Sequence, residues 1–590
     1  MFAAVYDIGA ASQQLCSASA FPADGQSCTF EGKHRVVLYC AAPETQDIDF
    51  HDHCGLSSLE GRFWIAGRIR LDDRSGLCAR LSLSSSAVGD HSLCLHAYAR
   101  WGERFVDFIA GDFSFVLWDN ARRCLIAVRD QLGCRPLFHA KSGNAWLISD
   151  SLDWIADRIP DRKALDDYWI ADFLTIGFSR EATRTIYRDA FRVEPSHSLK
   201  ILDGRAVHCR YWYFPEVEPL RLHDRRAYGE QFRAILSSAI ADRLPAGPVG
   251  IFMSGGLDST ALAACAASTV AVKSNVVAYC AQYDSAPQIR EGHYASLAAG
   301  HVGIGLRLVS ADGLAYDQKW RERGISWSEP TRAIICAEHT RQTNDDCADA
   351  AAVWFEGEGP DNALQFERRT YFSLLRARRD WGRFGAALLQ YAWVKGGSGW
   401  AQTWRRYTRQ RPVSPSYSLP PSWLDSDFSH RLRLVQRDRD LGDGGKMSGG
   451  WRPAAVASLT SPVWQSFFDD FDFQESLSSV VWRHPFLDLR MLKFMLSVPA
   501  VPWTWKKRLV RDAMSGLLPK EVLSREKAPL PVYPSVLAIK RCGLPPIENT
   551  AQVSTYVDLG RIPGIGSEDF ELYRSISLHV VDHWLSTRRH

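Results

Sequence analysis

A glycine turn between an apolar run and a helix-like run constrains the fold of this chain more than any other stretch. Residues 249–253 read VGIFM, residues 254–259 read SGGLDS, and TALAACA follows. This order predicts a buried strand, a tight turn and a helix. Two adjacent glycines let the backbone approach an anion closely, and a helix that begins there directs N–H groups and its positive dipole end at that anion. The stretch therefore predicts a phosphate-binding turn, and a tight strand-to-helix connection without a ligand is the alternative.

The side chains of this turn indicate which phosphate ligand is bound. Ser254 and Ser259 add hydroxyl donors, whereas Asp258 repels phosphate unless a cation lies between the two. A magnesium-bridged polyphosphate fits this combination, and SGGLDS resembles the PP-loop of ATP pyrophosphatases, which cleave ATP to AMP and pyrophosphate. It does not match the GxxxxGKS/T loop of kinases and GTPases. The residues predicted to bind ATP and pyrophosphate here are Ser254, Gly255, Gly256, Leu257, Asp258 and Ser259.

A second loop further along the chain predicts the other half of a magnesium site. Residues 350–355, AAAVWF, read as a buried strand, and EGEGPDN follows at positions 356–362. Strand–helix alternation over residues 249–309 implies a parallel sheet covered on both faces, with ligands at the carboxyl ends of its strands. Such a sheet would bring Asp361 near Asp258, and two carboxylates are suitable ligands for Mg²⁺. The alternative is an acidic, glycine-rich turn that only ends a strand.

Composition places the chain among soluble globular proteins. Its 590 residues predict several domains, and 46 % apolar with 23 % charged residues supply an ample core. The formal net charge of +3 offers no overall field for nucleic acid. No apolar run approaches the ~18 residues that span a bilayer, and the N-terminus lacks the basic-then-apolar pattern of a signal peptide. Fourteen cysteines without a CxxC pair argue against zinc and redox motifs, so we expect reduced thiols and a cytoplasmic protein.

Residues 1–205 predict a hairpin-rich, layered β domain. GDFSFVLWD at 111–119 alternates apolar and polar residues, a turn follows, and CLIAVRD returns as the next strand. GCRPLF at 133–138 comes soon after it. We place a linker at residues 206–227 and a second domain at residues 228–590.

These segments resemble the class II glutamine amidotransferase domain of the asparagine synthetase family. GDFSFVLWD followed by RDQLGCRPLF carries the most specific part of the resemblance, and GRIRLDDR at 67–74 is a weaker match. The resemblance implies an α+β, Ntn-hydrolase-like layered β domain followed by an α/β PP-loop ATP pyrophosphatase domain with a parallel sheet. In that family the glutaminase nucleophile is a cysteine directly after the initiator methionine. Phe2 stands there and the first cysteine is Cys16, so we expect this domain to release no ammonia from glutamine.

Three later stretches extend the resemblance into the second domain. EGEGPDN resembles the family's GEGxDE loop, with Asn362 in place of the second acid. RHPFLD at 483–488 resembles its RxPFLD segment, in which we expect His484 to be structural, and LPKEVLSREK at 518–527 matches LPxxVxxRxK. The resemblance implies that Lys527 stabilises the charged acyl-transfer transition state. The residues predicted to be catalytic are Lys527 and Glu358, and Lys507 joins the ATP- and pyrophosphate-binding set.

The middle of the second domain bears on the substrate. Residues 365–411 hold ten arginines and one lysine against two acids, with tryptophans and tyrosines interleaved. The plain interpretation is a set of arginine-rich helices with solvated faces. The alternative is a basic, aromatic groove that grips a peptide or its acidic side chain.

Together the motifs predict that ATP and Mg²⁺ activate a carboxylate as an acyl-adenylate, which an amine then converts to an amide. The Gly-Pro-Asp-Asn variant of the second loop resembles that of lasso peptide cyclases, and small-ring synthetases carry a tyrosine where Glu358 stands. We therefore expect a lasso peptide macrolactam synthetase, with a precursor or core peptide, a leader-removing protease and a leader-binding protein as partners. The alternatives are an ammonia-dependent asparagine synthetase, a β-lactam synthetase-like small-molecule ligase and a binding subunit without activity.

Overall fold

The computed structural model of the chain describes residues 1–8, 21–22, 25–41, 54–84, 88–283, 290–312, 315–394, 420–444, 450–526 and 533–588. Its strands are β1 (Phe2–Asp7), β2 (Gly25–Phe30), β3 (Arg35–Ala41), β4 (Cys54–Leu59), β5 (Phe63–Leu71), β6 (Gly111–Asp119), β7 (Cys124–Arg129), β8 (Phe138–Ser142), β9 (Ala145–Ser149), β10 (Ala190–Arg192), β11 (His197–Leu202), β12 (Arg205–Arg210), β13 (Val249–Phe252), β14 (Val276–Gln282), β15 (Gly305–Ser310), β16 (Val353–Phe355) and β17 (Val481–Arg483).

The α-helices of the described ranges are α1 (Arg74–Leu81), α2 (Asp90–Trp101), α3 (Leu152–Ala156), α4 (Asp167–Ile176), α5 (Arg225–Ala241), α6 (Leu257–Thr269), α7 (Glu291–Val302), α8 (Ala337–Ala348), α9 (Pro360–Ala363), α10 (Arg368–Ala377), α11 (Trp381–Val394), α12 (Ser426–Arg431), α13 (Leu434–Gly444), α14 (Pro453–Leu459), α15 (Val463–Ser476), α16 (Leu489–Ser497), α17 (Ala500–Trp503), α18 (Arg508–Ala513), α19 (Lys520–Ser524), α20 (Pro534–Cys542), α21 (Thr550–Val553) and α22 (Asp569–Thr587). Short 3₁₀ helices are Gly102–Asp107, Lys273–Asn275, Trp320–Arg323, Arg332–Cys336, Pro485–Leu487, Trp505–Lys507 and Leu559–Arg561.

Two six-stranded antiparallel sheets form the N-terminal layers. Their strand orders are β10-β8-β9-β1-β3-β2 and β12-β11-β7-β6-β5-β4. The core between them joins side chains from both sheets, such as Tyr6 on β1 and Trp118 on β6. Helices α1 and α2 cover the other face of the second sheet, so β6 is buried on both faces along most of its length. The predicted layered β domain is confirmed.

A five-stranded parallel sheet follows, in the order β15-β14-β13-β16-β17. The chain runs outward from β13 to β14 and β15, and then returns to the other side of β13 as β16 and β17. The strand order therefore reverses between β13 and β16, and ligands of open α/β sheets bind in the crevice at such a point. The predicted α/β domain with a parallel sheet is confirmed.

Small side chains bring the helix after β13 close to the sheet. Helix α6 reads LDSTALAACAAST, and most of it is buried between the sheet and α5. Alanine favours the helix and takes little space, so the helix axis lies near the strand that precedes it. This packing fixes where α6 begins, which is the turn that the sequence marks as a phosphate site.

A buried network of charges joins the N-terminal layers to the parallel-sheet domain. Arg243, at the end of α5, donates to Asp488 at 2.9 Å and to Asp72 at 3.0 Å. Arg70 on β5 donates to the same Asp72 at 2.7 Å. Burial raises the pKa of Asp488, but Arg243 and Arg490 outweigh it and hold that pKa well below its ordinary value. Removing one partner of such a buried pair costs about 3–5 kcal/mol, because the remaining charge stays in the interior.

Two further observations concern membranes and thiols. Within the described ranges, none of the helices is both long and apolar enough to cross a bilayer. The cysteines placed by the structure, from Cys28 to Cys542, are free thiols, and most of them are buried or partly buried.

Burial of His484 predicts a pH-dependent contribution to stability. Its ring lies among Phe467, Phe468 and Phe471, with centroids 4.9–5.8 Å away. Burial lowers the pKa of His484 to about 4, against an ordinary value of 6.5. Between pH 6.5 and 4 the imidazole of His484 therefore binds a proton in the unfolded chain but not in the folded chain. The stabilisation that comes from a neutral His484 is complete above pH 6.5 and is lost as pH falls toward 4.

We expect His484→Leu to remove this dependence. Between pH 7 and 4 the urea unfolding free energy of the native protein should fall by roughly 3 kcal/mol more than that of the variant. His301→Leu, at an exposed position near the end of α7, is the control and should follow the native protein. Parallel curves for the native protein and His484→Leu would contradict the assignment.

Candidate active site

The turn after β13 wraps around the start of α6. Gly255 has φ = 64°, in the left-handed region that favours glycine, and a Cβ atom there would collide with the carbonyl oxygen of Glu291. Gly256 is the N-cap residue of α6 and supplies no side-chain hydrogen bond to it. The first turn of a helix has N–H groups without partners inside the helix, so this terminus is suited to an anion.

Two serines close the turn. The Ser254 N–H donates to Oγ of Ser259 at 3.2 Å, and the two hydroxyl oxygens lie 3.3 Å apart. Leu257 and Asp258 are the first two residues of α6, directly beside these hydroxyls. The six residues that the sequence assigns to nucleotide binding thus lie in one turn and the start of α6, at the carboxyl end of β13.

The loop after β16 touches this turn because β16 is the neighbour of β13. A Cβ atom on Gly357 would lie 3.1 Å from the backbone nitrogen of Ser259, closer than side chains normally come. Glycine at this position therefore permits the approach of the two loops. Gly359, with φ = 126°, then turns the chain into α9, on whose first turn Asp361 lies.

Asp258 and Asp361 meet at one cation, the side chain of Lys507. The Lys507 Nζ contacts Oδ2 of Asp258 and lies 2.6 Å from Oδ1 of Asp361. Burial lowers the pKa of Lys507, but the two carboxylates outweigh it and raise that pKa above its ordinary value. The lysine is therefore positively charged at neutral pH. The structure brings together three residues that the sequence assigns to the site from separate motifs.

Lys507 reaches the carboxylates from a strained turn. Lys506 and Lys507 both have left-handed backbone conformations, with φ of 47° and 51°. Such a conformation costs a residue with a side chain roughly 1–2 kcal/mol, and it persists where surrounding contacts enforce it. One of these contacts is a hydrogen bond of 2.8 Å from Nε of Arg511 to the Lys506 carbonyl.

Arg511 also holds the segment that leads to Lys527. Its two terminal nitrogens donate to the carbonyl oxygens of Leu523 and, at 2.9 Å, Arg525. The Arg525 guanidinium in turn donates to the Ser254 carbonyl at 3.4 Å. The chain therefore approaches position 527 alongside the phosphate-binding turn, whereas Lys527 itself lies outside the described residues.

The second loop carries two further carboxyl groups. Burial and the negative charge of Glu358 raise the pKa of Glu356 to about 8, so Glu356 holds a proton at neutral pH. Glu358, which the sequence assigns to catalysis, is partly buried in the same loop. Asn362 donates to Oγ of Ser458 at 2.8 Å, which ties the loop to α14. Sequence reasoning missed Glu356 and Arg511, because the importance of each depends on burial or on contacts across the fold.

The donor set fits magnesium. Asp258 and Asp361 present carboxylate oxygens to one positively charged atom, and Mg²⁺ prefers oxygen ligands from one or two carboxylates together with substrate phosphates. The start of α6 lies beside them and is suited to those phosphates. The arrangement can therefore hold a nucleotide polyphosphate and the metal ion that accompanies it.

Two family models match this chain. The asparagine synthase family model matches residues 231–541, more than half of the chain. The glutamine amidotransferase domain model matches residues 78–212.

Individual relatives point the same way. The chain is 23 % identical over 455 residues to asparagine synthetase [glutamine-hydrolyzing] 3 of Bacillus subtilis, and the match covers 75 % of this chain and 71 % of that protein. It is 27 % identical over 251 residues to amidase chyE of Penicillium rubens, which covers 40 % of this chain but only 36 % of that protein. A solved glutamine phosphoribosylpyrophosphate amidotransferase from B. subtilis shares 13 % identity, with 60 % of this chain and 81 % of that chain covered and a TM-score of 0.24. The fold described above rests on strand topology and owes nothing to a likeness at that score.

The contact between Lys507 and the two aspartates predicts how the protein responds to magnesium. Lys507→Met leaves two carboxylates side by side, so we expect a loss of about 1–3 kcal/mol of stability without metal. Millimolar Mg²⁺ should restore more stability to this variant than to the native protein, because the metal replaces the missing charge. Thermal unfolding with and without MgCl₂ measures both effects.

Lys506→Met is the matched control. The Lys506 ammonium pairs with Glu526, and both side chains are largely exposed. Loss of this pair should change stability little and leave the magnesium response unchanged. Equal magnesium responses of the two variants would argue against a shared metal site at Asp258 and Asp361.

Proposed function

Because this chain belongs to the asparagine synthase family, we propose that it is an ATP-dependent ligase that joins a carboxylate to an amine and releases AMP and pyrophosphate. The observation that carries this proposal is the meeting of Asp258 and Asp361 on Lys507, at the reversal point of the parallel sheet. Adenylation of a carboxylate requires three features at one point: hydrogen-bond donors to phosphate, two carboxylates that can bind a metal, and a lysine.

In the first step the substrate carboxylate attacks the α-phosphorus of ATP. A new oxygen–phosphorus bond forms, the bond to the β-phosphate oxygen breaks, and pyrophosphate leaves with the electron pair. Ser254, Ser259 and the first N–H groups of α6 hold the departing pyrophosphate, and Lys507 supplies positive charge beside it. Magnesium bound by Asp258 and Asp361 would neutralise the pyrophosphate oxygens.

In the second step an amine attacks the carbonyl carbon of the acyl-adenylate. The carbon–nitrogen bond forms, AMP leaves with its oxygen, and the amine gives up a proton. Glu358 takes that proton, and Lys527 stabilises the negative charge on the intermediate. Glu356 is protonated at neutral pH, which lowers the negative charge of the loop that carries Glu358.

The amine comes from the substrate and not from glutamine. Phe2 begins β1 with its side chain fully buried, and its N–H donates to Oδ1 of Asp150 at 2.8 Å. A phenyl ring offers no nucleophilic atom, so position 2 lacks the group that would open the glutamine amide. The N-terminal layers then serve as a structural partner of the synthetase domain.

The substrate that we propose is a core peptide in the cytoplasm, freed of its leader. Its Asp or Glu side chain is adenylated and joined to its own N-terminal amine as a macrolactam, which makes the protein a lasso peptide cyclase. A leader-removing protease and a leader-binding protein would supply that peptide. Aromatic side chains beside the site support this choice, since Phe366, just before α10, and Tyr391 on α11 pack on Trp505 of the turn that carries Lys507. The rest of the arginine-rich segment, residues 395–411, lies outside the described residues.

An ammonia-dependent asparagine synthetase is the second candidate. The similarity to asparagine synthetase 3 of B. subtilis over most of this chain favours it. A β-lactam synthetase-like ligase of small molecules is the third candidate, and the substrate of such an enzyme also carries its own amine. The three differ in whether a peptide, aspartate or a small amino acid stimulates AMP release.

The deciding experiment combines the purified protein with ATP, Mg²⁺ and a synthetic leaderless peptide that has a free N-terminal amine and an internal Asp or Glu. We expect AMP, pyrophosphate and a peptide product lighter by one water, cross-linked between its N-terminus and one acid. Parallel reactions contain aspartate with ammonium chloride, and aspartate with glutamine. Formation of asparagine without any peptide would contradict the cyclase assignment.

Two substitutions separate the steps. Asp258→Ala should reduce peptide-dependent pyrophosphate release by roughly 100-fold or more, because the metal loses a ligand. Lys527→Ala should leave ATP binding intact and suppress amide formation, measured by mass spectrometry of the product. Full turnover by Lys527→Ala would remove that lysine from the mechanism.

A further inference from the structure

Helix α11 presents an apolar stripe to solvent. Leu389 is 67 % exposed and Trp393 is 63 % exposed, although both are large apolar side chains. With Gly382 and Ala386 they lie on one face, since the spacings of four, three and four residues match the helical repeat. We call these four residues the α11 stripe. Exposed apolar surface beside a functional site is typical of a surface that binds a partner or ligand.

The end of the α11 stripe is connected to the active site. The Trp393 ring contacts two guanidinium groups, with Cζ of Arg225 4.9 Å and Cζ of Arg508 4.8 Å from its centroid. Arg508 follows Lys507 directly in the chain. A molecule that contacts Trp393 and Arg508 therefore contacts the residue that follows Lys507 in the chain, and Lys507 binds Asp258 and Asp361.

The opposite face of α11 holds the helix firmly in place. Tyr391 is buried, and its ring centroid lies 6.1 Å from that of Trp505. Phe366 packs on the same tryptophan at 4.8 Å. Trp505 opens the turn that carries Lys507, so the α11 stripe keeps a fixed position relative to the site.

Charge favours an acidic occupant. Arg225 pairs with Asp512 at 2.8 Å, and Arg508 lies 3.5 Å from the same carboxylate. Two guanidinium groups thus share one carboxylate around Trp393, which leaves excess positive charge. Tryptophan and arginine at the centre of a contact surface are the residues that most often dominate binding.

The size of the α11 stripe argues against a second copy of the chain as its occupant. Its exposed side chains offer roughly 300 Å² of apolar surface, against the ~800 Å² that each partner of a stable dimer buries. A short extended peptide needs no more than this.

We propose that the α11 stripe binds the segment of the peptide substrate next to its reacting acid. An apolar side chain of the peptide packs on Leu389 and Trp393, and a negative group lies against Arg225 and Arg508. This inference rests on the proposed peptide cyclase function and assigns the surface that selects the peptide. Binding there holds the acid at the adenylation site, so its reaction with ATP becomes effectively unimolecular.

Trp393→Ala tests the proposal, with Trp381→Ala as its matched control. Trp381 lies on the same helix and is 59 % exposed, but it is off the stripe, against Phe384. We expect Trp393→Ala to raise the KM for the core peptide about 10-fold, equivalent to about 1.4 kcal/mol, with little change in kcat or in the KM for ATP. Trp381→Ala should keep native values, and both variants should unfold at native temperatures because both rings are exposed.

Direct binding separates this surface from the chemistry. The probe is the core peptide with a fluorescent dye at its C-terminus and with its reacting acid changed to the amide. This peptide cannot be adenylated at that position. Its anisotropy should report native affinity for Trp381→Ala and a tenfold weaker Kd for Trp393→Ala, and Arg225→Gln should weaken binding more at low salt than at high salt.

Each result has one meaning. Equal peptide KM and Kd values for the two tryptophan variants would overturn the docking surface while peptide-dependent AMP release by the native protein upheld the cyclase. Absence of AMP release by the native protein with any peptide would overturn the cyclase, and the anisotropy contrast would still report on the surface. A dimer that dissociates on Trp393→Ala, seen by sedimentation, would make a second copy the occupant and refute the proposal.

Discussion

One lysine between two aspartates is the contact on which the synthetase site depends. Asp258 starts the helix after β13, Asp361 lies in the loop after β16, and Lys507 comes from a turn far along the chain. Two carboxylates this close repel each other unless a positive charge lies between them. The lysine provides that charge, so the three segments are already assembled in the folded chain. A metal-bound polyphosphate can use the same two carboxylates without building the site anew.

A shared apolar core and a buried charge network join the N-terminal layers to the parallel-sheet domain. Arg243 lies between Asp72 from the N-terminal layers and Asp488 from the parallel-sheet domain, and all three side chains are buried. If the layers were absent, Arg243 would lose one of its two partners. The domain that begins with Phe2 therefore contributes a partner to a charge that is buried at its boundary with its neighbour.

Sequence patterns revealed the parts of the molecule that local chemistry determines. The glycine turn, the acidic loop and the parallel sheet follow from residue type and period, and the sheet order then places Asp258 beside Asp361. The strand expected at residues 350–355 is shorter, Val353–Phe355, because α8 and a turn occupy the residues before it. Neither the left-handed turn that delivers Lys507 nor the three carbonyls held by Arg511 has a local signal, since both depend on contacts between distant segments.

Gly357 lies where the segments that carry Asp258 and Asp361 come into contact. Its missing side chain lets the second loop touch the backbone of Ser259, one residue from Asp258. The width of the gap between Asp258 and Asp361 therefore depends on Gly357, a residue without a side chain. A methyl group there would move the loops apart by a few tenths of an ångström, and a wider gap suits the longer bonds of Ca²⁺ better than those of Mg²⁺. The spacing of these two carboxylates is therefore built into the backbone.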